Sequence, residues 1–245
     1  MRTIKITLGY DGTDFAGWQW QPEQRTIQGE IMNALEQVTG VRTHVDASGR
    51  TDAGVHAAGQ VASFHTESPI PCENLVKALN RLLPHSIRIY SAVEVADGFH
   101  ARFQATAKTY RYFIYRGTVC PPHRWPYVHH FPYPLDLAAM REAAILFAGS
   151  HDFTSLASTQ EAPEGSRVRT LFTSEWTQAD EELIYMARGS GFLHHMVRNL
   201  VGTMLEVGKG NVPPSGIPQI LQALDRSAAG PTAPAKGLWL ISVEY

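Results

Sequence analysis

The stretch Arg42-Thr43-His44-Val45-Asp46-Ala47, then Ser48-Gly49-Arg50-Thr51-Asp52-Ala53-Gly54-Val55-His56, and shortly after it Gln60-Val61-Ala62-Ser63-Phe64-His65, decides how this chain is read. The outer segments alternate apolar and polar residues as half-buried strands do, and the middle segment sets one carboxylate between two glycines. Asp52 is therefore expected in a loop fixed at both ends. Gly49 and Gly54 permit backbone angles and a close approach to a ligand that a Cβ would forbid. Arg50, two residues from Asp52, can hold the carboxylate ionised by charge pairing. Taken alone, the same residues also describe an ordinary Gly-Asp turn with a solvated arginine, so their neighbours must decide.

Working outward, Ile4, Ile6, Leu8 and Tyr10 alternate with Lys5 and Thr7 as a first strand that ends at Tyr10-Asp11-Gly12-Thr13. Thr26 can cap a helix with the apolar stripe Ile27, Ile31, Ala34, Leu35 and Val38, and Gly40 stops it. Beyond the Asp52 loop and its two strands, Glu73 to Leu83 forms a second amphipathic helix ended by Pro84, and Ile87 to Val95 a fourth strand. The order is β-α-β-β-α-β, the split β-α-β arrangement. The rest reads similarly: a strand over Lys108 to Arg116, a helix over Leu135 to Ala148, and strands near Arg169 to Thr177 and Leu183 to Arg188. A long helix from Gly191 to about Val207, a shorter one over Ile217 to Leu224 and a last strand from Leu238 to Tyr245 complete it. The expected fold is α+β: two tandem β-α-β-β-α-β units, residues 1–105 and 106–245, with mainly antiparallel sheets and a central cleft. Ser158 to Ser166 reads as a mobile loop.

The 245 residues are 44% hydrophobic and 18% charged, an ordinary globular composition. No apolar run approaches the roughly 20 residues a membrane span needs, and Met1-Arg2-Thr3-Ile4 runs straight into a strand, so a cytoplasmic protein without a membrane partner is expected. Cys72 and Cys120 stand far apart with no Cys-x-x-Cys spacing, which disfavours a disulfide framework or a cysteine zinc site. A net charge of -2 gives no global argument for nucleic acid, but the distribution does. Between Asp97 and Asp136 there is no acid, while Arg102, Lys108, Arg111, Arg116 and Arg124 are interleaved with ten aromatic residues, among them Phe99, Phe103, Tyr110, Tyr112, Phe113, Tyr115, Trp125 and Tyr127. That mixture suits phosphate neutralisation and base stacking, although a solvated face would read alike. A second acid-free tract, Leu183 to Leu205, carries Arg188, His194, His195 and Arg198. Arg25, Arg102, Lys108, Arg111, Arg116 and Arg188 are the candidate phosphate contacts.

By strand period, Tyr110 and Tyr112 share one face and Arg111 takes the other, with plain cross-strand packing as the alternative use of Tyr110. In the helix read to contain His194-His195-Met196-Val197-Arg198, the stripe Leu193, Val197, Leu200, Val201 and Met204 leaves Arg198 at one edge with the histidines. Paired histidines with no carboxylate at ligand spacing make a poor metal site, and none is expected.

Tyr10-Asp11-Gly12-Thr13, Gly17-Trp18-Gln19, Gly49 to His56, Phe99-His100-Ala101-Arg102, Lys108-Thr109-Tyr110-Arg111-Tyr112 and Phe192 to Asn199 occur in this order. In them the chain resembles the tRNA pseudouridine synthase A family along nearly its whole length. The resemblance implies a cofactor-free homodimer that isomerises uridine to pseudouridine at positions 38, 39 and 40 of the tRNA anticodon stem-loop. It implies that Asp52 is the essential aspartate, Tyr110 the tyrosine that meets the target uracil, and Arg198 the basic residue that pairs with the aspartate. Arg50 joins them as a substrate-binding candidate. Ionised Asp52 would attack ribose C1′ or remove a sugar proton; the sequence leaves both open. A non-catalytic tandem RNA-binding module is the main rival, but Lys108 to Tyr115 lacks the glycine-spaced pattern of such modules. A metal-dependent phosphoesterase would want clustered acids among the eleven histidines, and they are not there.

Overall fold

A computed structural model describes residues 1–158 and 166–245, so the loop expected over Ser158 to Ser166 lies mostly outside the described residues. The architecture is α+β with mostly antiparallel strand pairing. The chain forms two compact units, Met1–Thr106 together with Trp239–Tyr245, and Ala107–Leu238.

In the first unit the order is β1 (Arg2–Tyr10), α1 (Ile27–Thr39), β2 (Asp46–Ala47), β3 (His56–Thr66), α2 (Cys72–Leu82) and β4 (Ile87–Val95). β1 lies between β3 and β4, antiparallel to both, with Ile4 opposite Phe64 and Leu8 opposite Gln60. The alternation in β1 sends Ile4, Ile6 and Leu8 to one face, each fully buried, where Ile27, Ile31 and Leu35 of α1 and Leu79 of α2 complete the core. The helix signals act as read: Thr26 Oγ1 accepts from the Gly29 N–H, and Gly40 closes α1 at φ 78. β2 is shorter than the expected Arg42 to Ala47 strand, because only Asp46 and Ala47 pair, opposite Ser63 and Ala62. The last strand, β10 (Leu238–Glu244), pairs in parallel with β3, Trp239 opposite His56. It is fixed there by the stack of Trp239 on the His56 ring at 4.5 Å and by the Thr106 N–H donating to the Glu244 carbonyl at 2.8 Å.

In the second unit β5 (Ala107–Tyr115), β9 (Glu182–Gly189), β8 (Val168–Ala179) and β7 (Gly149–Asp152) lie side by side, and the short β6 (His129–His130) runs parallel to β5. Three helices belong to it: α3 (Leu137–Phe147), α4 (Met196–Gly208) and α5 (Ile217–Ala223). Tyr112, Tyr185, Phe147 and Leu200 form its buried centre. Burial without a charged partner pushes the Tyr185 hydroxyl up, and Ser174, 2.8 Å away, only partly opposes this. No helix among the described residues is long and apolar enough to cross a membrane.

Candidate active site

Asp52 stands on a loop that is held from beneath by one amide. Gln60 is wholly buried. Its Nε2 donates to the Gly49 carbonyl at 2.9 Å and to the Tyr10 hydroxyl at 3.3 Å, while its Oε1 accepts from Ser48 Oγ at 2.6 Å. The Tyr10 hydroxyl in turn lies 2.8 Å from Thr51 Oγ1, so the residues on both sides of Arg50 are tied to β1 and β3. Burial pushes the Tyr10 phenol up to about 12, which keeps it a neutral hydrogen-bonding group.

Above this base the chain turns tightly: the Val55 N–H donates to the Asp52 carbonyl at 3.1 Å, and Gly54 takes φ 76, the positive angle a type II turn needs at its third residue. Gly49, expected to supply similar freedom, is not in the left-handed region; its contribution is the carbonyl that Gln60 holds. A second segment braces the loop from the side. The Trp18 N–H donates to the Thr51 carbonyl at 3.0 Å, and Gly17, at φ 93, approaches so closely that a Cβ there would lie 2.7 Å from that carbonyl oxygen. The Gly12 N–H donates to His56 Nδ1 at 3.1 Å, and Asp11 Oδ1 lies 3.2 Å from the same nitrogen, which anchors the far end of the loop. Asp52 itself is half-buried, whereas Arg50 is exposed and makes no ion pair or hydrogen bond among the described residues. The side chain of Arg50 points to solvent rather than to the carboxylate two residues on.

In the second unit Tyr110 is 7% exposed, opposite Ala187 of β9, with its ring edge-on to Phe192 at 5.0 Å. Tyr112 lies on the same face and donates to the Pro234 carbonyl at 2.8 Å, and Arg111 is exposed on the other face, as the strand period requires. Phe192 received no role from the sequence; a lone aromatic before a helix gives no signal of which ring it will meet.

Arg198 is the third residue of α4. The helix starts at Met196 rather than near Gly191, so His194 and His195 precede it. His195 sits at φ 61, and the His194 carbonyl accepts from the Ser158 N–H at 3.0 Å instead of from the helix. The two imidazoles lie 3.9 Å apart. Arg198 Nε donates to the Ala233 carbonyl at 2.8 Å, and the Ala233 N–H donates back to the Arg198 carbonyl at 3.1 Å. That exchange leaves the planar end of the guanidinium to be aimed by the Ala233 segment. Its charge also opposes the strong upward push that burial gives the Tyr112 phenol.

Behind Arg198 the next residue, Asn199, is fully buried and gathers the segment into one network. Its Nδ2 donates to the Leu156 carbonyl at 2.8 Å, and its Oδ1 accepts from Thr232 Oγ1 at 2.6 Å and Arg226 Nη2 at 3.1 Å. Sequence reading missed Gln60 and Asn199 alike, because a single amide in an apolar pattern does not say which backbone groups it will satisfy.

The expected phosphate-contacting cations stand in different local settings. Arg25 pairs with Glu30 at 2.7 Å and lies over the Phe15 ring; Arg102 is exposed beside Phe103; Arg188 lies over Phe172 at 5.0 Å. Lys108 is half-buried on β5. Arg116 donates through Nη2 to the Tyr133 carbonyl, and burial pulls its guanidinium down, with Nε buried and lacking a hydrogen-bond partner.

Residues 7–104 and 143–245 match a family described as tRNA pseudouridine synthase. The chain is 52% identical over 247 residues to a tRNA pseudouridine synthase A of Solibacter usitatus, with the whole of both chains covered. It is 47% identical over 245 residues to that of Brevibacillus brevis and 44% over 245 residues to that of Caldicellulosiruptor saccharolyticus, again over the full length of each. On this likeness the chain belongs to the tRNA pseudouridine synthase family.

Proposed function

We propose that the protein isomerises uridine to pseudouridine in tRNA, at positions 38, 39 and 40 of the anticodon stem-loop, as a homodimer that uses no cofactor. The observation that supports it most is the Asp52 loop: in a chain of this family, a half-buried carboxylate stands on a connection held by Gln60, Tyr10, Thr51 and Trp18. A reacting carboxylate needs such a fixed position, since small displacements of a reacting group are costly.

The reaction breaks the bond from uracil N1 to ribose C1′, turns the base, and joins C5 to C1′. The C5 proton is lost and N1 gains one, so substrate and product are isomers and no outside oxidant or reductant enters the balance. Asp52 acts on the sugar, either as nucleophile at C1′ or as base toward a sugar proton. Arg198 keeps the carboxylate ionised by a charge-assisted pair. Tyr110 lies against the uracil face, and its hydroxyl serves the proton exchange. Arg50, directed to solvent, meets the RNA rather than Asp52. The target base must leave its stack, at about a few kcal/mol, offset by aromatic and phosphate contacts. Arg25, Arg102, Lys108, Arg111, Arg116 and Arg188 supply those phosphate contacts. The fold reading that accompanies this is a tandem β-α-β-β-α-β plan, supported by the order β1-α1-β2-β3-α2-β4 in the first unit; the second runs β5-β6-α3-β7-β8-β9-α4-α5, which follows the plan from β5 to α4 with the short β6 and β7 added and without a closing strand of its own.

The test is to incubate unmodified tRNA with the protein and map uridines that become carbodiimide-reactive without a change in mass. New reactivity at positions 38 to 40 is the expected result; an RNA unchanged at those positions overturns the assignment.

A further inference from the structure

Residues 98 to 104 of the first unit form a short connection that holds almost every group it carries. Ala101 is fully buried; its N–H donates to Ser63 Oγ at 3.1 Å, and its carbonyl accepts from the Tyr245 hydroxyl at 2.8 Å. The Phe99 ring lies 5.1 Å from the Tyr245 ring, and Lys5 Nζ sits over both, at 5.7 and 5.4 Å. The Gln104 N–H donates to the His100 carbonyl at 3.2 Å. The Arg102 N–H donates to His100 Nδ1 at 3.1 Å, so that nitrogen is the acceptor and the imidazole turns Nε2 toward Asp46, 3.8 Å away.

From this pedestal Phe103 is presented outward, between the exposed Arg102 and Gln104. Its ring is 74% exposed, supported at 4.3 Å by the His100 ring, with the exposed Arg102 guanidinium 5.6 Å away. A large aromatic side chain left in water on an anchored segment, next to a cation, is the combination by which proteins stack an unpaired base and neutralise its phosphate. The charge around it fits the same occupant. No acidic residue occurs from 98 to 135. The carboxylate that faces His100, Asp46, lies between two imidazoles, His44 at 3.3 Å and His100 at 3.8 Å.

We propose that Phe103 and Arg102 form a stacking subsite for an unpaired nucleotide of the RNA substrate, set apart from the residues that act on the target uridine. It rests on the function proposed above. The placement suits a nucleotide near the target. Ser63, which anchors Ala101, pairs with Asp46 of β2, and the Asp52 loop begins directly after β2. Along β3, Ser63 is three residues from Gln60, about 10 Å at strand spacing.

The experiment uses the full chain and unmodified tRNA, comparing Phe103→Ala, Phe103→Leu and Phe103→Trp by direct binding and by steady-state isomerisation. Loss of one base–aromatic stack weakens binding by about tenfold or more. Ala and Leu should therefore raise Kd and KM by about that factor, with the loss falling on KM rather than kcat, and Trp should bind as the wild type does. Arg102→Gln should lower the slope of log Kd against log salt by about one contact, roughly 0.7 to 0.9. Wild-type affinity in Phe103→Leu overturns the subsite, because apolar bulk without a ring would then suffice. Unchanged tRNA affinity in Phe103→Ala together with a shift in sedimentation overturns it too, and assigns the ring to a contact with a second copy. A wild-type protein that binds tRNA without isomerising it would instead sink the function proposed above while leaving the stacking comparison readable.

Discussion

Replacing Gln60 by leucine keeps the volume of the side chain and removes everything the amide does. Four bonds are lost at once: three that hold the loop, to Ser48 Oγ, the Gly49 carbonyl and the Tyr10 hydroxyl, and the one that Oε1 accepts from the adjacent Val61 N–H. The Tyr10 hydroxyl keeps Thr51, so its loss is mild, but the Gly49 carbonyl is left against an apolar group. At about 1 kcal/mol net for each of the three bonds that hold the loop, the cost is about 3 kcal/mol. For a chain of this size that lowers Tm by about 6 to 12 °C. A thermal melt followed by circular dichroism reads the stability, and a tritium-release or carbodiimide assay on tRNA reads kcat. Both should fall, kcat because the loop that carries Asp52 loses its floor. A Gln60→Leu protein that melts within about 1 °C of the wild type and keeps its kcat would refute the view that this amide fixes the loop, since a loss of about 3 kcal/mol has no way to stay hidden in a melt.

Two further predictions concern the second unit. Arg226→Met removes the guanidinium that bridges Asn199 Oδ1, Thr232 Oγ1 and the Ala229 carbonyl, and should cost about 2 kcal/mol in a denaturant titration while lowering kcat through the Ala233 segment that holds Arg198. His129 is pulled down from 6.5 to about 4, first by burial and then by the charges of Lys236, His130 and Lys209. Because the folded protein resists protonating it, its contribution to stability is complete above about pH 6.5 and is lost as pH falls toward about 4. His129→Gln should flatten that part of the stability profile, and an unaltered slope would contradict the assignment.

What the sequence showed and what it hid divide by range. The cap at Thr26, the stop at Gly40 and the alternation of Ile4, Ile6 and Leu8 are local signals, and each acts within a few residues of itself. The Asp52 loop was legible for the same reason, although its stiffness comes from residues up to 50 positions apart, as in the bond from Gln60 to Tyr10. Arg198 was placed on the right element, yet the start of that helix was misplaced because the left-handed His195 depends on the Ser158 contact of the His194 carbonyl. The partner of β10 was equally hidden, since alternation identifies a strand without naming the strand beside it. Phe103 looked like one more aromatic in a basic tract until the anchoring of Ala101 and Phe99 singled out its ring.

The central claim is that the Asp52 carboxylate does the chemistry, and a single-turnover comparison of wild type and Asp52→Asn on unmodified tRNA tests it most directly. The substitution keeps size and shape and removes the charge. The account predicts unchanged tRNA affinity with no pseudouridine formed over many wild-type half-lives, and an Asp52→Asn protein that isomerises at the wild-type rate would contradict it.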